Sequence, residues 1–202
     1  MKFQHTHIFN LDGAIRGMRN PLESWEKSDS AHNDTGFFVI GANDKKLAQK
    51  LIRAGSDHAK FMRQIMISVD ITAPLYWWKE FDTYKVGTVA NSTSTMHKLA
   101  STQITPECFV FDSVDNDTQK AICDNLEQLR AKYAETKDKQ YWRALVQLLP
   151  SAWLQTRTIT MSYQNIRAMY FARHNHKLVE WSECFMEWAR TLPYAEDFIL
   201  LQ

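Results

Sequence analysis

Glycine is scarce in this sequence: 6 residues, scattered. No glycine-rich loop is therefore available to cradle a phosphate through backbone amides. Cysteine is scarcer. Cys108, Cys123 and Cys184 are odd in number, and their spacings fit no metal motif, so reduced thiols in a cytoplasmic compartment are the simpler account. No apolar stretch is long enough to span a bilayer, and the opening ten residues, Met1 to Asn10, lack the apolar run of a signal peptide. Charge of one sign is not in excess. With 24 Lys+Arg against 23 Asp+Glu the net charge is +1, which implies no broad polyanion-binding field and gives no strong nucleic-acid signal. Internal repeats, low-complexity tracts and linkers are absent. So are spacings that read as a Ser-His-Asp, Cys-His or zinc constellation. The remaining composition, 202 residues at 45% hydrophobic, is that of one globular domain, 1–202, large enough for a proper core.

The clearest pattern lies in the middle of the chain. Ile65, Ile67, Val69 and Ile71 alternate with Met66, Ser68, Asp70 and Thr72, the period of two of a half-buried strand. Pro74 ends the strand and can open a helix. Leu75 to Phe81 reads as a short aromatic-rich helix, and Thr83 to Thr95 as a polar segment of little bulk. A strand, a helix and then a hydroxyl- and amide-rich loop can hold a polar ligand.

Before this stretch, Phe3 to Phe9 reads as a strand with His5 and His7 on one face. Two alternate histidines suit a metal, but no third ligand is nearby in sequence, and an exposed polar face accounts for them. Asp12 can cap a short helix with Ala14, Ile15 and Met18 inward and Arg16 and Arg19 on its polar side. Residues 21–36 are too polar for core. Surface loops of this length are often functional or mobile. Phe37 to Gly41 suits a strand or buried turn. Asn43 then caps a helix from Asp44 to Ala54, with Leu47, Leu51 and Ile52 on one face and Gly55 as the stop.

After it, Asp117 or Thr118 caps a helix to about Lys137. Its apolar stripe is Ala121, Ile122, Leu126, Leu129 and Tyr133, with Glu127, Arg130 and Lys132 on the solvent side. Tyr141 to Leu149 is a helix ended by Pro150. Trp153 to Met161 alternates as a strand, and helices follow from Tyr163 to about His174 and from Lys177 to Thr191.

Two groups of residues carry a resemblance. The first runs from His58-Ala59-Lys60-Phe61 through Lys79-Glu80, Thr83-Tyr84-Lys85 and Thr88 to Asn91-Ser92-Thr93-Ser94-Thr95-Met96-His97. In order and spacing this resembles the flavin-dependent thymidylate synthases, which carry H-x-x-F, then a helix with an R-Q pair, then R-H-R-x-x-S-x-N-E-x-S-x-R-Y. Thr83-Tyr84-Lys85 stand at R-H-R and Thr88 at the first Ser. With one residue inserted, Asn91 and Ser94 are identities. Ser92 replaces Glu, Met96 replaces Arg and His97 replaces Tyr. The second group follows Leu149-Pro150, where the family has a strand and then a helix bearing N-x-R and a later Arg. Ser162 and Gln164 occupy the N-x-R places, and Arg173 is the later Arg. Asn165-Ile166-Arg167 is itself N-x-R, three residues on, nearly one helical turn. Trp181 matches a family tryptophan one residue out of register. The resemblance runs from about Phe3 to Trp181, mostly as element order, and the whole chain is similar to the shorter thymidylate synthase-like proteins of phages and prophages.

The resemblance implies an α/β (α+β) fold with a mixed, mainly antiparallel sheet and packed helices. It implies FAD bound at the subunit interfaces of a homotetramer, and a pyrimidine nucleotide, dUMP, over the flavin ring. It also implies a folate as donor of the methylene that reaches C5 of the uracil by way of reduced flavin. No protein nucleophile attacks the uracil, because the cofactor carries the hard chemistry. On this basis Lys85 and Arg173 can hold phosphate, Arg being the better bidentate donor. Thr88, Ser92 and Ser94 can donate hydroxyls to it, Asn91 can pair with an amide edge of base or flavin, and Tyr84 can stack on a ring. Ser162, Gln164, Asn165 and Arg167 are the remaining cofactor-binding candidates. The same hydroxyl run also suits a solvated loop with local capping bonds. Trp77-Trp78 suit a base platform, a core or an oligomer interface, and His174-Asn175-His176 suit a ligand contact or a helix C-terminal region. Two functional readings remain: an active methyl-transferring flavoenzyme, or a catalytically lapsed relative that binds a nucleotide or a protein partner. Replacement of R-H-R and loss of the signature Glu and Arg favour the second.

Overall fold

A computed structural model describes all of residues 1–202. The main elements, in chain order, are β1 (Lys2–Phe9), α1 (Leu11–Gly17), β2 (Ala31–His32), β3 (Phe38–Val39), α2 (Ala42–Arg53), β4 (Met66–Pro74), α3 (Leu75–Phe81), β5 (Val89–Ser92), α4 (Thr95–Lys98), α5 (Asn116–Thr136), α6 (Lys139–Leu148), β6 (Leu154–Ser162), α7 (Tyr163–Arg173), a π-helical segment Glu180–Phe185, α8 (Met186–Arg190) and a short terminal π-helical turn Ala195–Ile199. The architecture is mixed α/β with antiparallel sheets and packed helices, as the sequence leads one to expect. The main sheet has the order β1-β4-β6-β5, and β2 pairs antiparallel with β3. No helix is long and apolar enough to cross a membrane.

The chain divides into two compact units. The first comprises Met1–Lys2, Ile71–Thr83 and Asn91–Thr158; the second comprises Phe3–Asp70, Tyr84–Ala90 and Ile159–Gln202. In the first, Leu99, Ile104, Phe109, Cys123, Leu126 and Leu145 form a buried cluster where α5 packs on α6. Trp77, Trp78 and Phe81 are also buried, with Trp77 and Trp78 in edge contact at 4.9 Å between ring centroids. The Trp78 indole donates to the Gln155 carbonyl at 3.0 Å, as buried Trp N–H groups usually do. This is core chemistry. In the second unit, Ile65, Ile67 and Val69 are fully buried, and Phe61 meets Phe198 edge-on.

Several boundaries differ from expectation for local reasons. α1 is capped by Asn10 in the left-handed region (φ 60°), which Asn tolerates, leaving Asp12 in the first turn. α2 begins at Ala42, and its first amides are capped from outside: Asp29 accepts from the Asn43 and Asp44 N–H groups at 2.8 and 3.0 Å. α5 begins earlier, with Asp115 as its cap. Along α5 the buried stripe takes Cys123 and leaves Ala121 exposed. Glu127, expected at solvent, accepts from the Ile104 N–H at 3.0 Å and pairs with Arg130.

The largest departure concerns Arg19. It lies not on a polar face but in the interior, 5% exposed, paired with the fully buried Asp44. Ser28 and Ser30 donate to the other Asp44 oxygen, and the Arg19 guanidinium donates to the Ser24 and Lys27 carbonyls. The 21–36 connection is therefore pinned through a buried ion pair. Burial pushes the Asp44 pKa up, but the bonds from Ser28, Ser30 and Arg19 outweigh it and hold the carboxyl below its usual value.

Candidate functional site

α3 delivers the chain into the motif segment. Pro74, extended at ψ 153°, ends β4 and sits at the N-cap of α3. A tight turn, Asp82–Tyr84, follows. Within the first unit, Asp82 accepts from Arg157 at 3.1 Å, and that guanidinium lies 4.3 Å over the Trp78 ring. Residues 85–88 then fold back: Thr88 donates its N–H and its hydroxyl to the Lys85 carbonyl, at 3.1 and 3.2 Å. Gly87 takes φ +76° here, a region that suits glycine. The Asn165 amide donates to the Val86 carbonyl at 2.8 Å and so ties this turn to the first turn of α7.

α7 starts with a reciprocal cap. The Asn165 N–H donates to the Ser162 hydroxyl oxygen at 3.2 Å, and the Ser162 N–H donates to the Asn165 amide oxygen at 3.1 Å, the logic of the capping box. Gln164 lies half-buried in the same turn. Arg167 points to the chain's end, donating to the Phe198 and Ile199 carbonyls at 3.3 and 2.9 Å and also to the Leu201 carbonyl, while its guanidinium covers Phe171 at 4.7 Å. Burial pulls its pKa below the usual guanidinium value.

Arg173 closes α7, where a cation is favoured by the helix dipole. Its Nε donates to the Tyr84 hydroxyl at 2.8 Å, across 89 residues of sequence. Its guanidinium carbon lies 5.3 Å from the Tyr84 ring centroid and 5.5 Å from that of Trp181, within cation–π range. Trp181 is brought in by the π-helical segment, which replaces part of the expected continuous helix and buries Glu180 beside it. Beyond Arg173, the His174 ring meets the Phe171 carbonyl at 2.9 Å, and the His176 ring accepts from the Leu178 N–H at 3.2 Å.

The second unit holds Tyr84, Lys85, Thr88, Ser162, Gln164, Asn165, Arg167 and Arg173; of these, Tyr84 meets Arg173 and Ser162 meets Asn165, while Arg167 is turned to the chain's end. Lys85 is exposed. The first unit holds the other candidates. Asn91 and Ser92 lie exposed on β5. The Ser94 hydroxyl caps α4, accepting from the His97 N–H at 3.1 Å. Thr93 joins β6 through Thr156 at 2.8 Å.

The second unit also contains a cleft of about 950 Å³ that the candidate residues did not anticipate. Leu47, Leu51 and Phe61 give it apolar walls; Asn20, Asn43 and Gln64 bring amides, and Lys27, Lys60 and His58 bring basic groups. Its one sequence signal was H-x-x-F at His58 and Phe61. Arg19 lines it while paired with the buried Asp44, which periodicity alone does not reveal.

No protein-family model and no curated protein sequence matches the chain. Solved structures do. A crystal structure of the flavin-dependent thymidylate synthase ThyX from Helicobacter pylori, complexed with FAD and dUMP, has a TM-score of 0.75 at 17% identity and covers 100% of this chain and 99% of that chain. Another Helicobacter pylori ThyX structure, with FAD and dUMP, has a TM-score of 0.73 at 17% identity and covers 98% of this chain and 96% of that chain. The chain therefore has the fold of these flavin-dependent thymidylate synthases, at an identity where fold is what is shared.

Proposed function

We propose that this protein binds a pyrimidine deoxynucleotide of the dUMP type together with FAD, as a cytoplasmic homo-oligomer of thymidylate synthase-like subunits similar to those of phages. The observation that carries the reading is the meeting of Arg173 with Tyr84, two motif positions far apart in sequence, at the end of α7. Arg173 supplies charge and a planar fork for phosphate, and exposed Lys85 adds a point charge. The Ser162–Asn165 cap and Arg167 hold α7 and the 85–88 turn in place.

The residues fit a flavin. The cleft beside His58 and Phe61 has the volume, the apolar walls and the basic and amide groups that a dinucleotide with an aromatic ring requires. FAD, when bound, supplies the redox chemistry for one-carbon transfer to uracil C5, with a folate as donor. The chain's own share is to orient the nucleotide and balance its charge.

A second reading, a lapsed relative that binds the nucleotide without turnover, is favoured by one specific feature. The R-H-R place holds Thr83-Tyr84-Lys85, and its central side chain is engaged with Arg173. Both readings require Arg173. In calorimetric titration with dUMP, Arg173→Ala is expected to weaken binding by about 1–3 kcal/mol, the loss of a charged hydrogen bond. Unchanged affinity in a folded variant would discard the site. Methyl transfer to dUMP with FAD and a methylene-bearing folate separates the two readings.

A further inference from the structure

We propose that Gln155 is the positioning residue for the motif segment 91–94, and that its side-chain amide sets how this segment meets the nucleotide. The inference rests on the nucleotide-binding reading above. Gln155 lies on β6 and is 8% exposed; a polar side chain so buried costs stability unless it is hydrogen-bonded. Its amide nitrogen donates to the Thr93 carbonyl at 3.0 Å and to the Thr95 hydroxyl oxygen at 3.4 Å. Its amide oxygen accepts from the Arg157 Nε at 3.0 Å, and Asp82 holds the same guanidinium through Nη1 at 3.1 Å. A guanidinium only donates and a carbonyl only accepts, so the side chain that joins them must offer one acceptor and one donor at its tip. Glutamine does, and its two partners fix which way the amide points.

All of these residues belong to the first unit. Thr93 is gripped from its other side by β6, where its N–H donates to the Thr156 carbonyl at 2.8 Å and its hydroxyl oxygen accepts from the Thr156 N–H at 3.3 Å. Thr95 opens α4. The points held by Gln155, at 93 and 95, therefore flank Ser94. The Ser94 hydroxyl accepts from the His97 N–H, which leaves its own hydrogen to donate to a ligand. Asn91 and Ser92 stand exposed just before Thr93. Gln155 acts on these groups through Thr93 and Thr95, by fixing the backbone that aims them.

The test uses the full chain, with dUMP and FAD titrated separately by calorimetry and the amides of 91–98 followed by hydrogen exchange. Gln155→Glu keeps an acceptor for Arg157 and turns a second acceptor on the Thr93 carbonyl. It is expected to weaken dUMP binding about tenfold and to speed exchange across 91–98. No residue of 91–98 lines the cleft assigned to FAD, so FAD affinity should not change, and neither should the urea midpoint. A merely structural residue would lower stability and both affinities together, so a loss confined to dUMP is diagnostic. If a folded variant binds dUMP as wild type does, or loses affinity for both probes alike, the positioning role is overturned and the nucleotide reading stands. If wild type binds no dUMP, the nucleotide reading falls and the role with it. Should Gln155→Glu fail to fold, as judged by circular dichroism, Gln155→Leu carries the same comparison; if neither folds, Gln155 is structural and the inference is overturned.

Discussion

Asp44→Asn is expected to lower the unfolding free energy by about 3–5 kcal/mol, because it leaves the buried Arg19 charge without its counter-ion. Asp44 is fully buried and takes Arg19 on one oxygen and Ser28 and Ser30 on the other. A surface pair would be worth under about 1 kcal/mol; burial makes this one expensive to break. The pH dependence follows from the lowered folded-state pKa of Asp44. Ionised Asp44 favours the folded state, so this contribution is complete above the ordinary value of 3.8 and is lost as pH falls through the lower folded-state value. Urea unfolding at neutral and acidic pH should show a loss on acidification that Asp44→Asn lacks. A neutral-pH cost under about 1 kcal/mol would mean that the pair does not pin the 21–36 connection.

Trp78→Ala should cost about as much, about 3–5 kcal/mol, through the cavity left by a large buried ring. Trp78 is 1% exposed, bonded to the Gln155 carbonyl and covered by Arg157. The same side chain is one of the two aromatics that suit a base platform, and the readings diverge cleanly. As core, Trp78→Leu destabilises the chain and leaves dUMP affinity unchanged at a temperature where it is folded. As a platform, it would cost about 1–3 kcal/mol of binding through lost stacking. Denaturant unfolding beside calorimetry distinguishes them.

What could be read in the sequence was what depends on near neighbours. The alternation of Ile65, Ile67, Val69 and Ile71 marked β4 because each faces a core on one side of a pleat. Pro74 marked its end because it lacks an N–H and fixes φ. What could not be read depends on distant partners. Arg19 and Asp44, 25 residues apart, each look like the polar face of an amphipathic helix, and only packing turns them inward. The expected long C-terminal helix hid the π-helical segment, whose extra residue per turn leaves no periodic trace at this length.

The candidate site was legible in part. Tyr84 and Arg173 were singled out separately by motif position, and the structure joins them. For Ser162, Asn165 and Ser94 the local signal was equally plain but of another kind. A Ser followed three residues later by a side chain or backbone group it can bond is a helix start, and the structure uses these residues as caps. The cleft beside His58 is built from residues 17–27, from α2 and from residues 57–64, so no single window of sequence contains it.

The most direct measurement of the central claim is the absorbance spectrum of the purified full chain from the near ultraviolet to the blue, before and after adding FAD and then dUMP. Flavin absorbance that stays with the protein through gel filtration and shifts when dUMP is added is the predicted result. A chain that retains no FAD, with or without dUMP, would contradict the flavin- and nucleotide-binding account and leave only its fold in common with the thymidylate synthases.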